Sequence, residues 1–397
     1  MRVSPKRLGG LLNRHIMISR KIRPTRASLH LSVLGVVLAH MIGALHLPST
    51  CAAETLRIGY IGSLTGDAGA IGSEIANTLE VSIDEINQAG GINGRKLELV
   101  VEDDGYEVKR ALTAYESIKN RVNSKVIFMS TYGGLFALGK RAENDRFTVV
   151  DTLDCNDDIV KISRMHTCVA TRTESIGEAF AKHILTHGDG VVGVLYEQEA
   201  WFNFIVRNLK QQLGSRLIEV VAPVQAGDYR AEILKLKSSK VRQVIFLGND
   251  SMGKAVARAR DIDQQGQFYS IASVMSPGFG ALAGKSLNGM LVTNWLIPRN
   301  AAFTQFNKRY NARFGKNITL EFVAGPTRDA ATLVFNALRA LPSSDANVSG
   351  VQVRNEMVNQ AEFEGISGKI KMDQDGAVRT IRETLFRYED GSLLSSN

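Results

Sequence analysis

Two histidines four residues apart, His183 and His187, are the first pair in this sequence whose spacing could hold a metal ion, since residues i and i+4 share one face of a helix. A zinc site needs a further protein ligand, none is evident near them, and His187 followed by Gly188 reads better as a helix C-terminus. Hydrolytic chemistry has no stronger footing, because neither a G-x-S-x-G elbow nor a phosphate loop occurs. Four of the seven histidines, His15, His30, His40 and His46, lie within residues 1–53, which leaves His166 beside the pair. No catalytic residue, metal or cofactor is expected, so the chemistry to be explained is that of binding.

Four short segments place polar or aromatic groups where an apolar run gives way to a helix. Ser130-Thr131-Tyr132-Gly133-Gly134 follows the apolar residues 126–129, so its hydroxyls and free backbone N–H groups would face a cleft. A helix N-terminus of this kind holds a carboxylate or other anion, and it equally serves as an ordinary N-cap. Residues 147–151 end in Asp151, and Asp154 follows closely. An acid there would favour a cationic or amide group, or would cap a helix beginning near Asp157. Trp201, just after another apolar run, offers the flat area and single N–H that cover a small apolar or cationic group, or else it packs in the core. Asn249 and Asp250 close a fourth run. Cys155 and Cys168 are an even pair once Cys51 is set aside, able to bridge in an oxidising compartment and then to stiffen the wall that carries Asp154.

The elements that must position these groups alternate. From Glu54 onward the pattern predicts a strand over 56–61, a helix to about 88, a strand over 96–102, a helix over 108–120 and a strand over 126–130. A second series repeats it, with helices over 175–187, 200–213 and 229–238 and strands over 190–196, 216–224 and 243–247. A strand over 291–295, helices over 301–314 and 327–341 and a strand-turn-strand around 368–376 complete the chain. Such alternation predicts an α/β fold of two doubly wound lobes with parallel central sheets joined by a multi-strand hinge, and places ligands at the carboxyl ends of the strands. Residues 54–171 with 299–365 are expected in the first lobe, and 172–298 with 366–397 in the second. Gly90, Gly91 and Gly94 would supply the positive φ that stops a helix and turns the chain into a strand. The first turn lacks G-x-G-x-x-G, which argues against a dinucleotide.

Charge narrows the partners. The chain of 397 residues carries 48 basic and 40 acidic residues, but eight of the basic ones and none of the acidic ones lie in residues 1–53. The remainder is formally neutral, which removes the electrostatic case for nucleic acid. Those first residues have the parts of a secretory signal: a basic stretch ending at Arg26, an apolar run over 29–47 and small residues up to Ala53. Export to the periplasm with cleavage after Ala53 is the expectation. An uncleaved anchor, a lipidated Cys51 and a start at Met17 are the alternatives.

Several motifs together resemble the type I periplasmic binding proteins, in the leucine/isoleucine/valine-binding branch that serves ABC importers. They are residues 58–66 (IGYIGSLTG), 87–94 (NQAGGING), Glu102-Asp103-Asp104, Lys235-Leu236-Lys237 and residues 289–293 (GMLVT), and the resemblance spans nearly all of the chain after residue 53. It implies a monomeric, non-enzymatic capture protein for a small polar molecule, an amino acid, amide or related compound, with a membrane permease as partner; a ligand-sensing subunit for a membrane receptor is the alternative, and a periplasmic hydrolase a more distant one. It also implies that Ser130, Thr131 and Tyr132 hold a ligand carboxylate, that Trp201 closes over the ligand as an aromatic does in relatives, and that Ser63, Thr65 and Ile71 edge the pocket. Relatives pair the ligand ammonium with an acid after the strand that follows Asp250. Here that stretch reads Ser270-Ile271-Ala272-Ser273, so Asp250 is the expected replacement and a branched-chain amino acid is placed in doubt. Arg328-Asp329 is expected at a helix start facing the same cleft.

Overall fold

A computed structural model describes residues 54–188, 190–262, 266–295, 300–342 and 348–395. The expected signal peptide, residues 1–53, lies outside them. No helix among the described residues is long and apolar enough to cross a membrane.

Two sheets organise the chain. The first contains β1 (Leu56–Gly62), β2 (Leu97–Asp103), β3 (Val126–Met129), β4 (Thr148–Asp151) and β5 (His166–Val169). The second contains β6 (Val192–Glu197), β7 (Leu217–Ala222), β8 (Gln243–Leu247), β9 (Gln267–Ile271) and β10 (Leu291–Asn294). Their spatial orders are β2-β1-β3-β4-β5 and β7-β6-β8-β9-β10, all parallel, so one doubly wound pattern occurs twice. β3 reads Val-Ile-Phe-Met and is buried on both faces, as a parallel strand covered by helices must be. Helix Gly69–Gln88 turns Gly72, Ile75, Ala76, Leu79 and Ile83 toward the first sheet's core at three- and four-residue spacing, and its Val81 packs against Phe303, Phe306 and Tyr310 of helix Ala301–Phe314. It ends where expected, and Gly90, Gly91 and Gly94 take φ of 99°, 84° and 77°.

The chain passes between the sheets after β5, after β10 and before residue 384; the described residues of these crossings are 170–173, Trp295, Asn300 and 379–383. The last crossing lies later than the expected boundary at 366. Hairpin β11 (Phe363–Gly365) and β12 (Gly368–Ile370) precedes β13 (Ala377–Val378), which pairs with β5 in the first sheet. Ile370, Met372 and Val378 bury their side chains in the first sheet's core, which is what keeps the segment there. β14 (Thr384–Glu389) extends the second sheet antiparallel to β10, and β15 (Ser392–Ser395) pairs antiparallel with β14 at its edge.

A second difference concerns helix Glu321–Ala340, which begins before Pro326 and not after it. A proline inside a helix leaves the carbonyl four residues earlier without its donor. Here that carbonyl, of Phe322, accepts from the indole Nε1 of Trp295 at 3.1 Å, and Gly325 gives the ring room to approach. Arg328 and Asp329 are consequently inside the helix and away from the cleft. Arg328 pairs with Glu85 at 2.6 Å, and Asp329 accepts from the backbone N–H groups of Ile366 and Ser367 at 2.8 and 2.7 Å.

Candidate functional site

In a doubly wound sheet the strand order reverses between the first and third strands, and loops leaving them diverge to open a crevice. Both sheets present that point to the same space. Ser63 follows β1, Ser130 follows β3, Trp201 follows β6 and Asn249 follows β8, and all four line one cavity of about 60 Å³. At about 10–15 Å³ per water, that is room for some four to six solvent molecules or a ligand of comparable size.

The first-sheet wall is set by local hydrogen bonds. The Ser63 hydroxyl donates to Thr65 O at 2.7 Å, and Gly72 is essential beneath it, since a Cβ there would stand 1.8 Å from Ser63 O. Asp103 at the end of β2 is desolvated in part, yet donors from Thr65, Leu64 and Gly105 hold its carboxyl at about 2. Ser130 Oγ lies 3.1 Å from the buried Tyr60 hydroxyl. After β4, Asp151 Oδ1 accepts from the backbone N–H of Leu153 and Asp154 at 2.8 and 3.2 Å. That turn swings Asp154 into the cavity while Asp151 stays behind it, fully buried. Asn156, not Asp154, caps helix Asp157–Ile162 by accepting from Ile159 N at 3.1 Å. Cys155 and Cys168 are bridged with Cα atoms 5.2 Å apart, so Cys155 braces the wall and does not line the cavity.

Other lining residues come from the crossings and the second sheet. Thr171 and Thr173 lie in the first crossing and Glu383 in the last; Ser273 follows β9 and Thr293 belongs to β10. Tyr106, held at a left-handed φ of 63° as its N–H donates to Asp104 Oδ1 at 2.9 Å, closes one side. Apolar cover comes from Ile71, Leu153, Ile176, Ile271 and Phe322.

The electrostatics are one-sided. Among the lining residues the ionisable groups are Asp154, Glu383 and Tyr106, with no lysine, arginine or histidine. Burial pushes the Asp154 carboxyl well above the ordinary range, neighbouring Asp151 and Glu199 add to the rise, and the Trp201 indole eases it. Burial likewise raises Glu383 to about 8, partly relieved by the Thr171 hydroxyl. Glu199, beside the cavity, is raised to about 8 by burial and by Glu197 and Asp67.

Of the residues singled out in the sequence, Ser63, Ile71, Ser130, Asp154, Trp201 and Asn249 meet at this cavity. Thr131, Tyr132, Asp151 and Asp250 do not line it. The Thr131 hydroxyl donates to buried Asp104, so the expected anion-holding turn already faces a carboxyl of the protein. Tyr132 accepts from Asn156 Nδ2 at 3.1 Å and packs 6.4 Å from the Phe204 ring of the second-sheet side. Asp250 sits against Gly278, with a carboxyl oxygen 1.9 Å from where a Cβ there would stand. Strand-end position could have found Thr171, Thr173 and Ser273; nothing local marks Glu383 or Tyr106. His183 and His187 stack at 4.0 Å, with His183 Nδ1 3.1 Å from the Tyr269 hydroxyl, and no group of three metal-ligating side chains exists among the described residues.

Comparison with known proteins points the same way. A family model described as periplasmic binding protein matches residues 55–387. A leucine-, isoleucine-, valine-, threonine- and alanine-binding protein of Pseudomonas aeruginosa is 24% identical, over 85% of this chain and 91% of its own. A Leu/Ile/Val-binding protein of Rhizobium johnstonii is 25% identical, over 86% and 94%. Among solved structures, the branched-chain amino acid transporter substrate-binding protein of Streptococcus pneumoniae with isoleucine superposes with TM-score 0.75 at 17% identity, covering 86% of this chain and 98% of that one. A solute-binding protein of an ABC transporter from R. palustris with benzoate gives TM-score 0.75 at 17% identity, covering 86% and 96%.

Proposed function

The chain belongs to the periplasmic binding protein family, a family of binding proteins and not of enzymes, and from that premise we propose that it captures a small polar solute for an ABC importer in the periplasm. The observation that carries this reading is a cavity walled jointly by the switch points of both sheets. Each sheet with its helices would act as one lobe, the three crossings would be the hinge, and a membrane permease would receive the solute from the monomer. A polar contact across the gap supports closure of the lobes: both carboxylate oxygens of Asp67, after β1, accept from Ser251 N at the start of helix Met252–Ile262, at 3.1 and 3.0 Å. This is a favourable place for an anion, because a helix N-terminus has unpaired N–H groups. With the lobes parted, that pairing would be lost, so the carboxylate acts as a catch that favours the closed form.

The test uses the two tryptophans, Trp201 in the cavity wall and Trp295 in the second crossing. Purified protein is titrated with amino acids, amides, amines and small carboxylates while fluorescence and thermal unfolding are followed. A true ligand at a hundredfold its Kd adds about 2.7 kcal/mol of stability. Its fluorescence response should disappear in Trp201→Phe. A screen in which no class of compound shifts either signal would overturn the reading.

A further inference from the structure

Inside the cavity two acids stand with no cationic side chain among the lining residues to meet them. The hydroxyls of Ser63 and Ser273 already donate to backbone carbonyls, at 2.7 and 2.9 Å, and Ser130 is tied to Tyr60. Asp154 Oδ2 and Glu383 Oε2, by contrast, have no partner at hydrogen-bond geometry, the Trp201 indole and the Thr171 hydroxyl being their nearest donors, and neither do Asp151 Oδ2 and Glu199 Oε2 just behind the wall. Asp154 is 1% exposed, so water at the surface does not serve it. The hydroxyls of Thr173 and Thr293, 2% and 1% exposed, and the indole N–H of Trp201 are also unpartnered and line the same space, neutral donors that carry no charge to balance the two acids. Buried polar groups are paired in folded proteins, and a buried carboxyl facing a cavity without a partner marks the place of a group that is not part of the chain.

The chemistry of that group follows from what the walls hold. A ligand carboxylate would find no lysine, arginine or histidine among the lining residues and would lie beside two acids. The helix start at Thr131, where the resemblance places such a carboxylate, is turned to Asp104. N–H donors of positive charge, however, would meet the unpaired oxygens directly, and the Trp201 ring is a favourable neighbour for a cation. We propose that the cavity takes a small organic cation, a primary amine or amidine with a short apolar body and no carboxylate of its own, whose N–H groups bond Asp154 and Glu383. Ile71, Ile176, Ile271 and Phe322 cover the apolar part. This deepens the solute-binding reading of the same site and rests on it.

Calorimetric titration of the whole protein with butylamine, 1,4-diaminobutane, butyramidine, butyramide, isoleucine and benzoate decides the matter. An amine or the amidine should bind at least about tenfold more tightly than the amide, isoleucine and benzoate, as expected when a desolvated charge pair is made. Asp154→Asn and Glu383→Gln, nearly isosteric, should each weaken that binding by at least about tenfold while far-UV circular dichroism stays unchanged. Preference for isoleucine or benzoate would overturn the cation assignment and leave the solute-binding reading intact. Equal affinity for amide and amine, or unchanged amine affinity in both variants, would overturn it as well. Binding of none of the six counts against both readings.

Discussion

Glu197 and Asp154 are both buried acids near strand ends, one on each sheet, and their surroundings are opposite. Glu197 at the end of β6 accepts from Gln225 N at 3.2 Å, Tyr229 Oη at 3.0 Å, Ser251 Oγ at 2.6 Å and Asn249 N at 3.1 Å. Its carboxyl gathers the two loops after β7 and β8, with both oxygens occupied. Asp154 beyond β4 has an oxygen with no partner, aimed into open space. Burial alone therefore does not distinguish a structural acid from a binding one; the unfilled hydrogen-bonding capacity does.

The largest effect that would test this contrast is on stability. Glu197→Ala is expected to cost about 3 kcal/mol or more in denaturant unfolding, because four donors lose one acceptor together. Asp154→Asn should leave the unfolding free energy unchanged or raise it by up to about 1 kcal/mol, since it removes a buried carboxyl without breaking any bond that holds a loop. Equal losses in the two variants would break the comparison.

The pH dependence of the unliganded protein sharpens it. Glu199 and Glu383 hold protons up to about 8 in the fold, whereas an unstructured glutamate releases its proton near about 4.3. Between those values the folded state binds more protons than the unfolded one, so stability should fall as pH rises from 5 to 8.5. The groups facing Glu199 are acids, Glu197 and Asp67, and Thr171 faces Glu383, so no cation among them reverses the sign. Denaturant midpoints that rise over this range would mean that these carboxyls are ionised and paired.

The smallest effect concerns the catch between the two halves. Asp67→Asn should weaken binding of any ligand by about fivefold, corresponding to about 1 kcal/mol for a carboxylate at a helix N-terminus. The loss should be the same for every ligand tried, unlike that at Asp154, which should be confined to amines and amidines. Calorimetry with a weak and a strong ligand would separate the two.

The sequence by itself determined the layered α/β plan, because the period of the apolar residues dictates strand or helix and the glycines at 90, 91 and 94 dictate the turn between them. It also located Ser63, Ser130, Trp201 and Asn249, since residues just past a strand's carboxyl end must emerge at the crevice. Only the tertiary structure decided which of two neighbours emerges. Asn249 faces the cavity and Asp250 a glycine of helix Pro277–Ala283; Asp154 faces it and Asp151 lies behind, because a turn of one residue more or less reverses a side chain's direction. Glu383 comes from a crossing more than two hundred residues along the chain from Asp154, and its place beside the same space depends on how the two sheets are set together, which no local pattern encodes.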